Sequence, residues 1–355
     1  LFNFRKNIQD IYSEACDDSH GIHPFKLYFA SVGGMVGLGN IVLISIALMI
    51  GGPGSLFWTV LASLSGMLLK YAEIYLGVKY RTKGSDGKWH GGPMYFLQRA
   101  FKAPTMAYLF AFLLCLYGVE ISNFLIIVDR VEHSFELNRN LVIIGLLALV
   151  IYSSIGGISR LANICSLIMP VFMVGYIVFA IYIIAANASA LPAFFQTVIS
   201  SAFTGHAKLG GFVGSSMILA AYMGISKTVY SGDIGIGYDS IVQSETKIAS
   251  PEKQATLAIY ALFTDSIICI LTNTMLGVTG AWYTLNHLEP SDIVAQTLSG
   301  YIPYSDFFMT LLLFFAGFTT IIAYLVAGMK CAQFINAKYG KTIYLLYSVF
   351  AFIFF

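Results

Sequence analysis

From residue 27 onward the chain alternates long apolar stretches with short polar ones. A helix needs about 20 apolar residues to cross the hydrocarbon core of a bilayer. Nine stretches meet or approach that length: 27–50, 55–79, 105–131, 141–156, 162–186, 211–237, 255–281, 306–331 and 342–355. The pattern predicts an all-α polytopic membrane protein. The fourth stretch is short enough to need snorkelling or local thinning. Gly51-Gly-Pro-Gly54 predicts a tight turn between the first two spans. Residues 187–210 and 282–305 read as longer loops, the second with a short surface helix. The sequence starts at Leu1 and stops at Phe355 inside an apolar run, so a piece of a longer chain is expected.

Two stretches carry what a regular helix tolerates poorly. In Ser31-Val-Gly-Gly-Met-Val-Gly-Leu-Gly-Asn40, glycines fall at 33, 34, 37 and 39. Each costs a helix about 1 kcal/mol relative to alanine. Lipid permits irregular backbone only where protein or a water-filled cavity satisfies its polar groups. A break here therefore predicts a ligand or ion site. Freed carbonyls can coordinate Na⁺, and the N–H groups of the following half-helix face an anion such as an amino-acid carboxylate. Asn40 adds a side-chain oxygen. Close packing through small residues is the competing explanation. The second break, Gly224 to Gly237, combines small residues and hydroxyls with Lys227 and Asp233. Charges inside a membrane usually face the bundle interior or an aqueous path. These two read as gate candidates, or as a pair that snorkels near one end. Paired broken spans in two halves mark an inverted-repeat transporter.

Three further groups stand out. Ala316, Thr319 and Thr320 share one helix face, and a carbonyl with two hydroxyls suits a hard monovalent cation; threonines bonding back to their own helix are the plainer reading. Lys70 and Glu73, one turn apart, read as a buried or interfacial structural pair. Glu120, in the third span, is the proton-carrier candidate if coupling uses H⁺. Asp129 and Arg130 read as interfacial.

Composition supports the same class. The chain is 57% hydrophobic and 11% charged, with mean hydropathy +0.77, against about 25% charged in soluble domains. No basic run with interleaved aromatics supports nucleic-acid binding. Arg5, Lys6, Lys26, Arg81, Lys83, Lys88, Arg99, Lys102, Arg160, Lys247, Lys253, Lys338 and Lys341 fall on one side of the spans, against Arg130, Arg139 and Lys208 on the other. The excess predicts a cytoplasmic N-terminus and an outward-facing Gly51–Gly54 turn. Cys16, Cys115, Cys165, Cys269 and Cys331 lack metal-ligand spacing and read as packing residues. The histidines are scattered, and no hydrolytic triad, HExxH or P-loop appears, so an enzyme is not expected.

Gly37-Leu-Gly-Asn40, Gly51-Gly-Pro-Gly-Ser-Leu-Phe-Trp58, Lys70-Tyr-Ala-Glu73, Val78-Lys-Tyr-Arg81 and Gly91-Gly-Pro-Met-Tyr-Phe96 follow in register. The series resembles the alanine or glycine:cation symporter family. Later matches include Gly156-Gly-Ile, Pro170, Ser200-Ser-Ala-Phe203, Ser250-Pro-Glu-Lys-Gln254, Asp265 and Lys330-Cys331. The resemblance implies the leucine-transporter fold, with discontinuous first and sixth core helices at 27–50 and 211–240. The implied division is a cytoplasmic segment 1–26, a first repeat at about 27–187 and a second at about 211–355. It implies a sodium ion between the first and eighth helices, held by the carbonyls of Gly33, Val36 and Ala316 and the hydroxyls of Thr319 and Thr320. A second ion position would involve Met35 and Asn40. The substrate carboxylate would meet the amides around Gly37, Leu38 and Gly39, with Asn123, Tyr230, Ser231 and Ile322 around the pocket.

This chain departs from the family at the sixth helix, where Lys227, Gly232 and Asp233 replace the usual Arg, Asn and Glu. Asn123 stands for a Gln, and Ile322-Ala323 for Gly-Trp. The lost Trp predicts tolerance for side chains larger than methyl. The implied function is Na⁺-coupled uptake of a small neutral amino acid, with Na⁺ as coupling ion and no organic cofactor, in the plasma membrane of a bacterium or archaeon. Alternatives are proton coupling and a transport-inactive sensor or scaffold of the same fold.

Overall fold

The computed structural model describes residues 21–84, 87–203, 217–285, 290–301 and 305–354. The expected N-terminal segment up to residue 20, the start of the sixth span at 211–216 and Phe355 lie outside the described residues.

The first span is broken where its glycines cluster. Helix α1 (Pro24–Met35) starts on a proline, whose fixed φ suits the first turn. A short gap follows, then a π-turn at Gly39–Leu43 and helix α2 (Ile44–Gly51). The two halves are bent by 49°. Gly52, at φ 70°, turns the chain into α3 (Ser55–Lys79). A small antiparallel pair, β1 (Thr82–Lys83) with β2 (Trp89–His90), leads to α4 (Pro93–Arg99).

The third span is not the continuous helix expected over 105–131. It is α5 (Pro104–Tyr117) and α6 (Ile121–Phe135), separated at Gly118-Val-Glu120. Helices α7 (Arg139–Ile155) and α8 (Gly157–Ala186) follow. The expected loop 187–210 instead contains a helix, α9 (Leu191–Phe203), whose Phe194 and Val198 pack on Leu56. The sixth span is α10 (Met217–Ser231), an irregular turn at 232–237 and α11 (Tyr238–Gln243), so its break is narrower than the expected 224–237. Then come α12 (Pro251–Val278) and α13 (Ala281–Thr284). Helix α14 (Pro290–Ser299) is the short helix expected in 282–305, but it is no surface helix: Ile293, Val294 and Leu298 are fully buried. The remaining helices are α15 (Ser305–Ile335) and α16 (Gly340–Phe354).

Among the described residues, five helical stretches are long and apolar enough to cross a membrane, six with the bent pair, and three shorter apolar helices stand beside them: 139–155, 188–203 and 340–354. Burial differs sharply between them. The apolar window of α15 is 83% buried, and that of α8 only 33%. Helix α15 is the central post, contacting α1, α5, α6, α7, α8 and α16. Leu68, Leu167, Val171 and Ile218 project outward with about three-quarters of their surface open, which suits lipid rather than water. This is a multi-pass membrane protein.

Candidate functional site

The first break is held open by close approaches. A Cβ on Gly34 would overlap the ring of Tyr238, and one on Gly37 would overlap the Thr320 hydroxyl. Alanine at either position would therefore force its neighbour to shift. Thr320 Oγ1 donates to the Gly33 carbonyl at 3.3 Å and the Ala316 carbonyl at 3.0 Å. Thr319 Oγ1 donates to the carbonyls of Ala316 and Phe315, each at 3.0 Å. So Gly33, Ala316, Thr319 and Thr320 meet between α1 and α15. Each hydroxyl shares its one proton between two carbonyls and has two lone pairs besides. Val36 directs its amide to the Val32 carbonyl at 2.6 Å.

Asn40 is differently engaged. Its Oδ1 accepts from the Gly37 amide at 3.0 Å, and its Nδ2 donates to Asp265 Oδ1 at 2.7 Å and Cys269 Sγ at 3.2 Å. Ser231 Oγ donates to the same Asp265 oxygen at 3.3 Å. Asn40 thus cross-links the first break to α12 and to the end of α10. Its oxygen accepts from one amide and keeps a second lone pair. Met35 lines the pocket.

Beside the break lies a cavity of about 140 Å³. Met35, Gly37, Leu38, Gly39 and Val42 form one wall; Tyr117, Glu120 and Asn123 come from the kinked third span, Tyr230 and Ser231 from α10, and Thr320 and Tyr324 from α15. The Gly118–Glu120 kink brings Glu120 to the wall, where its Oε2 accepts from Asn123 Nδ2 at 2.9 Å. Tyr117 packs edge-on against Tyr324 (centroids 5.4 Å apart) and Tyr230 (6.4 Å). Tyr238, stacked on Tyr324 at 4.9 Å, continues the aromatic row.

One predicted wall residue is elsewhere. Ile322 is fully buried in the hydrophobic core and does not line the cavity, and Ala323 is buried with it. Thr320 and Tyr324, one turn apart, share the face that looks in. Ile322-Ala323 therefore adds nothing to the cavity wall, where Tyr324 stands.

The second break is charged. Lys70 Nζ donates to the Asp233 carbonyl at 2.6 Å and Oδ2 at 3.0 Å, and lies 3.1 Å from Asp239 Oδ2. Tyr324 donates its hydroxyl to Asp233 Oδ1 at 2.7 Å. All these groups are buried. The expected pairings do not form. Lys70 turns to the irregular segment rather than to Glu73, because the carbonyl freed there offers an acceptor that a continuous helix would lack. Asp233 is bound by Lys70 and Tyr324, not by Lys227, which is only half-buried and makes no ion pair among the described residues.

Further ion pairs lie away from the breaks. Arg130 pairs with Asp292 on α14, and Arg139 pairs with Asp129 and Glu132. Lys330 pairs with Glu245, and Arg81 donates to the carbonyls of Ser244, Thr246 and Ile248 at 2.7 to 3.0 Å. Asp129 and Arg130, expected to be interfacial, are thus each tied to a neighbour.

Sequence reasoning missed Asp239, Tyr117 and Tyr324 and gave Asp265 no role. Asp265 had a legible signal, an acid inside an apolar span. The tyrosines had none, since an aromatic in a span is ordinarily core.

The sodium:alanine symporter family matches residues 1–355. An uncharacterized transporter of Haemophilus influenzae is 30% identical over 343 residues, covering 92% of this chain and 73% of its own. The sodium/alanine symporter AgcS of Methanococcus maripaludis is 28% identical over 348 residues, covering 95% of this chain and 74% of its own. Among solved structures, MhsT in complex with L-phenylalanine is similar with a TM-score of 0.66 at 16% identity, covering 94% of this chain and 78% of that one, a likeness of fold alone. The broken first and sixth spans around a central pocket are thus those of a leucine-transporter-type fold, and, matched along its whole length, the chain belongs to the sodium:alanine symporter family.

Proposed function

We propose that this chain couples Na⁺ influx to the uptake of a small neutral amino acid across the cytoplasmic membrane by alternating access. The single observation that carries the reading is the meeting of the first break with Thr319 and Thr320 beside a tyrosine-walled cavity. Na⁺ binds to the carbonyls of Gly33, Val36 and Ala316 and to the two hydroxyls. That binding orders the irregular backbone, so the substrate carboxylate meets the amides of Leu38 and Gly39 already in place. Asn123, Tyr230 and Ser231 complete the substrate wall. The small cavity and its aromatic ring favour a compact solute. Membership of the family and relatives named for sodium with alanine or glutamine support the class. The N-terminus faces the cytoplasm, and the repeats run over about 27–187 and 211–355.

A second reading replaces Na⁺ by H⁺ carried on Glu120, favoured by the place of that carboxylate on the cavity wall. Proteoliposome uptake of radiolabelled alanine, glycine and glutamine, with a Na⁺ gradient, a proton gradient or neither, separates the two. Uptake driven by Na⁺ alone supports the first reading. Uptake indifferent to Na⁺ but driven by protons transfers coupling to Glu120. No uptake under any gradient removes both.

A further inference from the structure

The chemistry around Lys70 exceeds what a structural ion pair requires. One ammonium faces three carboxylates: Asp233, Asp239 and Glu73. Asp233 is fully engaged, by Lys70 and by the Tyr324 hydroxyl. The other two are not. Asp239 has no exposed surface, and neither of its carboxylate oxygens has a hydrogen-bond partner, although Oδ2 points at Lys70 from 3.1 Å. Both Glu73 oxygens are buried and equally without a partner; the Gly235 amide approaches them outside hydrogen-bond geometry. Asp239 Oδ2 thus has only the ammonium, and the other three oxygens have neither a hydrogen bond nor an ion pair within reach, which a native interior rarely leaves. Buried charge is ordinarily matched, and here the cluster is net negative.

We propose that Glu73 and Asp239 form a proton-binding site around Lys70, separate from the Na⁺ position and from Glu120, whose occupancy follows the state of the transport pocket. A proton taken from water forms one O–H bond in a site that needs both carboxyls, and removes one excess negative charge. A proton suits the site better than a metal ion. The ammonium of Lys70 already fills the central cation position. Among the described residues, no three His, Cys, Asp or Glu side chains could jointly hold a metal.

The groups facing the site come from every side. Lys70 and Glu73 belong to α3, Asp233 to the irregular turn, and Asp239 to α11, beside Tyr238. Tyr324 comes from α15, Tyr117 and Glu120 lie beyond Asp233 from the kinked third span, and Asp265 faces Lys70 from α12. Tyr324 supplies the link to transport, since the same side chain lines the cavity and donates to Asp233. A solute that recruits the Tyr324 hydroxyl removes a donor from Asp233. Lys70 is then drawn toward Asp233 and away from Asp239, and a proton binds in its place. Solute binding and proton binding are accordingly favourable to each other.

The link to solute rests on the transport reading, so the experiment has one readout that needs no transport. Purified full-length protein in weakly buffered detergent solution is given Na⁺ and then alanine, with proton uptake followed by an indicator dye. The same chain in proteoliposomes is assayed for alanine uptake between pH 5.5 and 8.5 at saturating Na⁺. The expected result is proton uptake on alanine addition and a pH-dependent transport rate in the parent chain, both lost in Glu73→Gln. Asp239→Asn, nearly isosteric, gives the same losses and replaces Glu73→Gln should that variant fail to fold. Proton exchange that survives in either variant, a pH profile in them identical to the parent's, or no proton exchange in the parent overturns the proposal. Absence of Na⁺-driven uptake with proton exchange still lost in Glu73→Gln leaves the site standing and removes the transport reading instead.

Discussion

The two broken helices solve the same problem with opposite chemistry. At the first break the freed backbone meets neutral partners: the Thr320 hydroxyl, the Asn40 amide and neighbouring carbonyls. At the second, the freed Asp233 carbonyl meets an ammonium, and three carboxylates surround it. A neutral set of oxygens leaves room for a cation to be added. A cluster that carries its own cation is closed to another, and what it can still exchange is a proton. The difference is one of charge: the first break has room for an added cation, and the second carries its own.

The strongest test of that division is Lys70→Met. Removing one partner of a buried ion pair costs about 3–5 kcal/mol, because the other charges stay buried. We expect loss of most folded protein, read by size-exclusion profile and thermal melting in detergent. Near-parental stability would mean that the carboxylates are compensated by something other than Lys70.

Gly37→Ala attacks the first break by volume. The added Cβ overlaps the Thr320 hydroxyl, and overpacking costs about 1–3 kcal/mol. The chain should fold but lose most Na⁺-stimulated uptake, whereas the outward-facing Gly145, which has open space around it, should tolerate alanine without loss. Equal uptake in both variants would remove the tight contact from the ion site.

Thr319→Ala is milder. Losing one hydroxyl ligand is worth about 1 kcal/mol, so the Na⁺ concentration for half-maximal uptake should rise about fivefold. Unchanged Na⁺ activation would take the ion away from α15.

Ile322→Val should have the smallest effect, about 1 kcal/mol of stability from one lost buried methylene. Competition by alanine, serine, valine and leucine should stay as in the parent, because Ile322 does not touch the cavity. A change in selectivity would restore Ile322 to the pocket wall.

Much of the architecture was legible before any coordinates. Each expected span has a helix at its place among the described residues, because lipid forces a long apolar run to satisfy its backbone as helix. The first break was legible for the same reason: glycines packed so closely in an apolar run have few other uses. The meeting of Ala316, Thr319 and Thr320 was readable from helical spacing, and the family resemblance placed Gly33 opposite them. The Gly118–Glu120 kink was not readable, since one glycine beside an acid gives no periodic signal.

By itself the sequence determined the fold class, the family and the place of the first break. Those properties follow from local composition and spacing along one chain. Only the tertiary structure decided that Lys70 answers Asp233 and Asp239 rather than Glu73, that Asn40 is bound to Asp265, and that Tyr324 rather than Ile322 faces the cavity. Each is a choice among partners distant in sequence, made by the rotation of one helix against another. A one-turn spacing such as Lys70 to Glu73 shows which residues can meet on a helix. It does not show that a carbonyl freed more than a hundred residues later makes a stronger partner.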